Sequence, residues 1–277
     1  MRQGKRLLTQ LFFFLLQNPF LKNFAAGKIY QGNIKLFCTP GLNCYSCPAA
    51  AVSCPIGAAQ FFFAAAKSGI SLYITGFLMI IGVTFGRFIC GYVCPMGLLQ
   101  DLLYRIKTKK FILRLRFLRY VKYIILVVFV ILLPMIAVQE LSGFGAPWFC
   151  KYICPSGTIF GAAPLLLAND FLRDLIGAQF IFKALTAAVI VIAAVFIYRI
   201  FCRVFCPLGA IYALFNKISI LRMHCDREKC VSCGDCSREC QMKIKPDTEP
   251  NSFECVRCGK CVNACKSKAL SYKIRGT

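Results

Sequence analysis

Three stretches of this chain place two cysteines four positions apart, the second followed at once by proline. They are FICGYVCPMG from Phe88, WFCKYICPSG from Trp148 and FCRVFCPLGA from Phe201. A fourth, altered copy, CYSCPAAAVSCPIGAAQ, begins at Cys44, with alanine at position 50 where the repeat would carry its first cysteine. Proline fits the first position of a helix, where its missing N–H costs nothing. Cys94, Cys154 and Cys206 are therefore expected at helix N-termini, where free N–H groups and the helix dipole favour anions. Glycines at 57, 97, 157 and 209 leave room for close backbone approach. Thiolates held this way suit an anionic iron–sulfur cluster, whose potential responds to N–H groups aimed at sulfur.

The C-terminal part carries a tighter pattern. CVSCGDCSREC from Cys230 and CVRCGKCVNAC from Cys255 both read C-x2-C-x2-C-x3-C, the two-cluster ferredoxin spacing. In that arrangement the fourth cysteine of each run serves the other cluster. One set is then Cys230, Cys233, Cys236 and Cys265, and the other is Cys255, Cys258, Cys261 and Cys240. Gln241 and Lys266 stand where proline usually follows the fourth cysteine. Structural zinc is the competing reading of paired cysteines. It has no use for the tight triple. Cys225 and the single histidine, His224, are left over, the histidine as a solvated side chain.

The elements that must position these groups are apolar. Of the 277 residues, 58% are hydrophobic, and mean hydropathy is +0.64. That excess points to an α-helical integral membrane protein. Residues 70–88, 121–138 and 178–198 approach the ~20 apolar residues a bilayer core requires. Residues 7–24 form a weaker candidate that either spans or lies in the interface, which makes about four transmembrane helices. The formal charge of +23 fits basic loops beside such helices better than nucleic-acid binding, for which no module is legible. Arg105, Lys107, Lys109, Lys110, Arg114, Arg116, Arg119 and Lys122 mark their segment as cytoplasmic, and the nearly neutral 139–177 loop as external. Lys28, Lys35 and Lys67 run mildly against that alternation.

The motifs then repeat as duplicated helix-pair units in halves of about 1–105 and 118–215, within a membrane domain of residues 1–222. An α+β ferredoxin-like domain follows at 223–277. Cys90, Cys94, Cys202 and Cys206 are expected to share one cluster on the inner side. On the outer side Cys47, Cys54, Cys150 and Cys154 are the favoured set, with Cys44 as the alternative to Cys47. Cys38 and the remaining cysteine form a disulfide or help hold another cofactor. The total is about four [4Fe–4S] clusters, two in the ferredoxin domain and one at each membrane boundary.

The combination of apolar helices, repeated C-x3-C-P motifs and a C-terminal two-cluster domain resembles membrane polyferredoxins of the NapH and NosR type, from about Cys44 to Cys265. GLNCYSCPAAAVSCPIGA departs from their simpler pattern. The resemblance implies an electron-transfer subunit in a bacterial or archaeal inner membrane, with its ferredoxin domain in the cytoplasm. Implied partners are the bilayer, a cytoplasmic ferredoxin or flavodoxin, quinone or an external redox protein, and a partner-borne flavin. Competing roles are a quinol dehydrogenase subunit, an outward-facing reductase, and an iron–sulfur redox sensor.

Overall fold

The computed structural model describes residues 3–64, 72–111, 117–137, 145–174 and 176–275. Lys67, Arg114 and Arg116, used above for orientation, lie outside the described residues, as do parts of the 70–88 and 121–138 segments.

The chain is mostly helical. Helix α1 spans Gln3–Gln17. Helices α2 (Pro55–Ala64) and α3 (Leu72–Phe85) follow, and then the short α4 (Phe88–Tyr92) and α5 (Pro95–Leu103). The second half repeats the order with α6 (Leu118–Ile136), α7 (Gly157–Ala168), α8 (Ala178–Phe196), α9 (Ile200–Val204) and α10 (Pro207–Phe215). Proline opens α2, α5 and α10 directly after Cys54, Cys94 and Cys206, as its fixed φ and absent N–H allow.

Two described helices, α6 and α8, are long and apolar enough to cross a membrane, with 19 residues each. At 14 residues, α3 covers only ~21 Å at the helical rise. The fourth candidate, residues 7–24, is not one continuous helix, because α1 ends at Gln17. Its buried side is polar. Arg6, Gln10 and Gln17 face inward and bond the carbonyls of Gly91 and Val93. Leu8, Phe12, Leu15 and Leu16 face outward. That is the reverse of a helix packed on a water-soluble core. The same outward apolar face continues on α3 (Leu72, Met79, Ile80) and α8 (Ile181, Phe182, Val189, Ile192).

The C-terminal unit starts with β1 (Leu221–Cys225), paired antiparallel with β2 (Leu270–Ile274) so that Leu221 faces Ile274 and Cys225 faces Leu270. Between them lie α11 (Asp235–Glu239) and α12 (Lys260–Ala264). Its two halves are near copies. Gly234 and Gly259 cap the helices at φ 75° and 76°, a left-handed conformation that glycine adopts without strain. The unit is fastened to the helical body. Buried Arg257 donates to the carbonyls of Phe85, Leu221 and Asn216, and Asn216 Nδ2 donates to those of Ser252 and Cys255.

Candidate iron–sulfur centres

The four cysteines expected on the inner side lie in or at the ends of paired short helices. Cys90 lies in α4 and Cys202 in α9, while Cys94 and Cys206 cap α5 and α10. All four are buried. Burial, then the charges of Cys202 and Cys90, push the Cys94 thiol up to about 12. Burial and the charges of Cys202, Cys90 and Cys94 push Cys206 well above the usual thiol range. Burial also raises the Cys202 thiol, and thiolates crowded together in this way are favoured by a positive partner.

Donors surround these sulfurs. Leu42 N–H points at Cys94 Sγ (3.3 Å), Gly209 N–H at Cys206 Sγ (3.3 Å) and Gln100 Nε2 at Cys202 Sγ (3.0 Å). Gln100 is itself fixed, since its Oε1 accepts from Phe201 N–H at 3.1 Å and its Nε2 also reaches the Met96 carbonyl at 3.2 Å.

Gln60 repeats this device for the second set. Its Nε2 donates to Cys150 Sγ at 3.1 Å and to the Ile56 carbonyl at 3.2 Å, and its Oε1 accepts from Phe149 N–H at 2.8 Å. The parallel between CPIGAAQ and CPMGLLQ therefore ends on a functional side chain. Sequence reading saw that parallel but assigned the glutamines no role.

The composition of this second set corrects the favoured expectation. Cys44, not Cys47, joins Cys54, Cys150 and Cys154. After burial, the charges of Cys154 and Cys44 act on Cys150, and that of Cys44 acts on Cys154, whose thiol lies at about 11. Burial, Cys150 and Cys154 raise Cys54. Cys47 instead turns its Sγ toward Asn18 Oδ1, 3.8 Å away, with only Cys44 as a thiol neighbour of influence. A tight turn follows Asn43, in which the Cys47 N–H closes back on the Cys44 carbonyl at 3.0 Å. Cys38 stands away from the set, its backbone bridged to Ser53. All nineteen cysteines are free thiols, so the expected disulfide between leftover cysteines is absent among the described residues.

A second correction concerns placement. The two sets were expected at opposite membrane boundaries. They are adjacent. Leu42 bonds Cys94 of one set, and Cys44 of the other lies two residues on, a chain length of ~7 Å at full extension. Burial first, then the charges of Cys90 and Cys94 and after them Cys54, raise the Tyr212 hydroxyl, which thus stands within reach of both sets. The hairpins explain the error. Helices α2 and α3 run out and back between Cys54 and Cys90, and α7 and α8 do the same between Cys154 and Cys202.

Lys183, in the apolar run of α8, was also missed. Its charge reaches Cys44, Cys150 and Cys154, and its Nζ would lie 3.1 Å from a Cβ added at Gly157. A cation inside an apolar helix is the signal that could have found it.

The C-terminal cysteines from Cys230 to Cys265 lie between β1 and β2, on and around α11 and α12. Burial and the charges of Cys255, Cys258 and Cys240 raise Cys261. Cys230, Cys233, Cys236 and Cys265 line one small cavity, and Cys225 lines it too. His224 is exposed.

These sets fit a cluster rather than a single ion. Sulfurs on one zinc at about 2.3 Å would lie within roughly 4 Å of each other. Among the described residues no three Cys, His, Asp or Glu groups come together closely enough for that. Cysteines brought together from separate segments, with N–H donors on Cys94, Cys150, Cys202 and Cys206, suit a larger anionic centre.

Comparison with known proteins agrees. The family model described as "4Fe-4S binding domain" matches residues 68–114, 124–170 and 181–224, one C-x3-C-P motif in each. Each of these three segments is thus similar to an iron–sulfur binding domain. The uncharacterized protein MJ0749 of Methanocaldococcus jannaschii is 28% identical over 68% of this chain and 64% of its own length. The putative electron transport protein YccM of Escherichia coli is 26% identical over 61% of this chain and 45% of its own. The methylamine utilization ferredoxin-type protein MauN of Methylorubrum extorquens is 28% identical over 59% of this chain and 50% of its own. The chain therefore spans about half to two thirds of those relatives. No solved structure matches it.

Proposed function

We propose that this protein is an integral membrane electron carrier with four [4Fe–4S] clusters in one line. The supporting observation is the continuity of the cysteine sets. Gly91, between Cys90 and Cys94, is so close to Val256, between Cys255 and Cys258, that an added Cβ would lie 2.5 Å from the Val256 carbonyl oxygen. Cys236 and Cys240, joined by α11, tie the two ferredoxin sets together. The order is Cys230/Cys233/Cys236/Cys265, Cys240/Cys255/Cys258/Cys261, Cys90/Cys94/Cys202/Cys206, and Cys44/Cys54/Cys150/Cys154. The last two being adjacent removes the need for another carrier between them. The clusters supply the one-electron chemistry when bound. The chain contributes thiolates, N–H donors, buried cations and exclusion of water.

The outward apolar faces of α1, α3, α6 and α8 support placement in lipid. On this reading the ferredoxin unit is cytoplasmic, beside the basic 105–122 segment, and receives electrons from an acidic ferredoxin or flavodoxin.

Exchange with quinone is a second reading, favoured by one observation. An apolar groove is lined by Phe182, Val189 and Ala193 of α8 together with Ile200 and Phe205, residues that flank Cys202 and precede Cys206 in the chain.

Iron and acid-labile sulfide per chain, with EPR of the reduced protein, test the proposal. About sixteen irons are expected for four cubane clusters. About eight would leave only the ferredoxin unit loaded and refute it. Rapid oxidation of the reduced clusters by added quinone supports the second reading, and no response removes it.

A further inference from the structure

A polar cavity of ≈ 250 Å³ lies where the ferredoxin unit meets the helical body. One wall is Arg6, Asp101, Tyr104 and Arg105, and the other is Gln241 and Lys260. Gln241 follows Cys240, and Lys260 lies between Cys258 and Cys261, so the cavity borders one ferredoxin cysteine set.

Its charge is one-sided. The single carboxylate, Asp101, is already met by two guanidiniums, Arg6 and Arg199, and by Gln10 Nε2 at 2.9 Å. Arg105 and Lys260 add positive charge with no acid on the lining to offset it. A neighbouring cavity shares Tyr104, Tyr198 and Gln241 and adds Lys110, Arg203, Arg238 and Lys243. Gln241 Oε1 is buried and accepts no hydrogen bond. An unfilled acceptor beside surplus cations calls for a ligand that carries an anion and a hydroxyl together.

Arg6 near the start of α1, Arg105 after α5 and Tyr198 after α8 put the cavity at one end of the helices. There, tyrosines and basic side chains meet lipid headgroups. We propose that the cavity binds a phosphate group with an adjacent hydroxyl, as an anionic phospholipid headgroup offers, and that the bound group clasps the ferredoxin unit to the helical body. This rests on the membrane reading above. A free phosphate offers the same chemistry from water.

The test uses the full chain with its clusters in nanodiscs of phosphatidylcholine, with and without phosphatidylglycerol. Lipid retained on the protein is counted by native mass spectrometry, and the ferredoxin-cluster potentials are read by EPR. Wild type is expected to retain phosphatidylglycerol about tenfold over its share in the disc, and R105Q/K260Q to lose that preference. R105K/K260R, which keeps the charge, should restore it. A potential shift on adding inorganic phosphate to phosphatidylcholine discs, lost in R105Q/K260Q, would assign the site to free phosphate. Entry into discs with neither lipid preference nor phosphate effect overturns this inference alone. A preference undiminished in R105Q/K260Q also overturns it. Failure to enter discs at all overturns the membrane reading with it.

Discussion

Arg87 Nη2 donates to the Cys202 carbonyl at 3.1 Å, while Arg199 Nη1 donates to the Cys90 carbonyl at 2.6 Å. Each arginine stands three residues before the first cysteine of its own motif and reaches across to the other. The glycines of the Cys-Pro-x-Gly motifs make the crossing possible. A Cβ at Gly97 would lie 2.7 Å from the Cys90 carbonyl oxygen and 3.3 Å from Arg199 Nη2, and one at Gly209 would lie 3.2 Å from the Cys202 carbonyl oxygen. Each guanidinium also has a carboxylate. Asp101 holds Arg199, and Glu254, from the ferredoxin unit, holds Arg87 at 3.0 Å together with Lys122. The second half of the clamp is thus completed by the domain that docks on it.

Removing Arg87 leaves the buried Glu254 with Lys122 alone and takes the side-chain donor from the Cys202 carbonyl, at a cost of about 1–3 kcal/mol. Arg87→Gln is expected to lose the inner cluster and loosen the ferredoxin unit. Iron should fall by about four per chain, and protease should cut the 216–222 linker faster than in wild type. Unchanged iron and cleavage would show that the cross-brace is incidental.

Gln60 and Gln100 each supply a side-chain donor to a sulfur. Replacing Gln100 with Leu removes an N–H that favours the more reduced, more negative cluster. The inner potential should drop by about 40 mV, equivalent to about 1 kcal/mol for one electron. Gln60→Leu should shift the Cys44/Cys54/Cys150/Cys154 cluster by a similar amount and leave the inner one unmoved. Redox titration followed by EPR checks both, and shifts of equal size in every cluster would count against the assignment.

Cys44→Ser should lower iron by about four per chain, whereas Cys47→Ser should leave it near wild type. Iron analysis of the two variants separates the set found here from the alternative.

Asp101 gives a pH signature. Burial works against its ionisation, but the Arg199 and Arg6 guanidiniums outweigh that and hold the carboxyl down at about 2. A folded-state value below the ordinary 3.8 means a stabilising contribution that is complete above about pH 4 and is lost as pH falls toward 2. Its size is roughly 2 kcal/mol. The difference in unfolding midpoint between wild type and Asp101→Asn should therefore be full at pH 5 and shrink across that window. A difference independent of pH would refute the pairing.

Much of this was legible in the sequence. Cysteine spacing alone marked the iron–sulfur motifs that the family model also matches at residues 68–114, 124–170 and 181–224, because ligand spacing for a cluster is local within each motif. Proline after cysteine marked three helix starts. What failed was depth. Alternating spans and basic loops assumes that each motif sits at the end of a full crossing, and the sequence does not show that the loop carrying Leu42 and Cys44 reaches in to Cys94. Cys44 and Cys47 share one tight turn, so spacing alone did not choose between them. Buried partners such as Arg87, Arg199, Gln60 and Gln100 sit at fixed offsets from the cysteines, but their roles emerge only when the two halves face each other.

The proposed electron path is a single line of four clusters, with the Cys44/Cys54/Cys150/Cys154 cluster next to the Cys90/Cys94/Cys202/Cys206 cluster. Anomalous scattering at the iron edge from crystals of the anaerobically purified protein measures this directly. Four iron peaks in a row, with those two sharing the contact at Leu42, is the predicted map. Peaks confined to the ferredoxin unit, or two helical-body peaks separated by the full thickness of a bilayer, would contradict it.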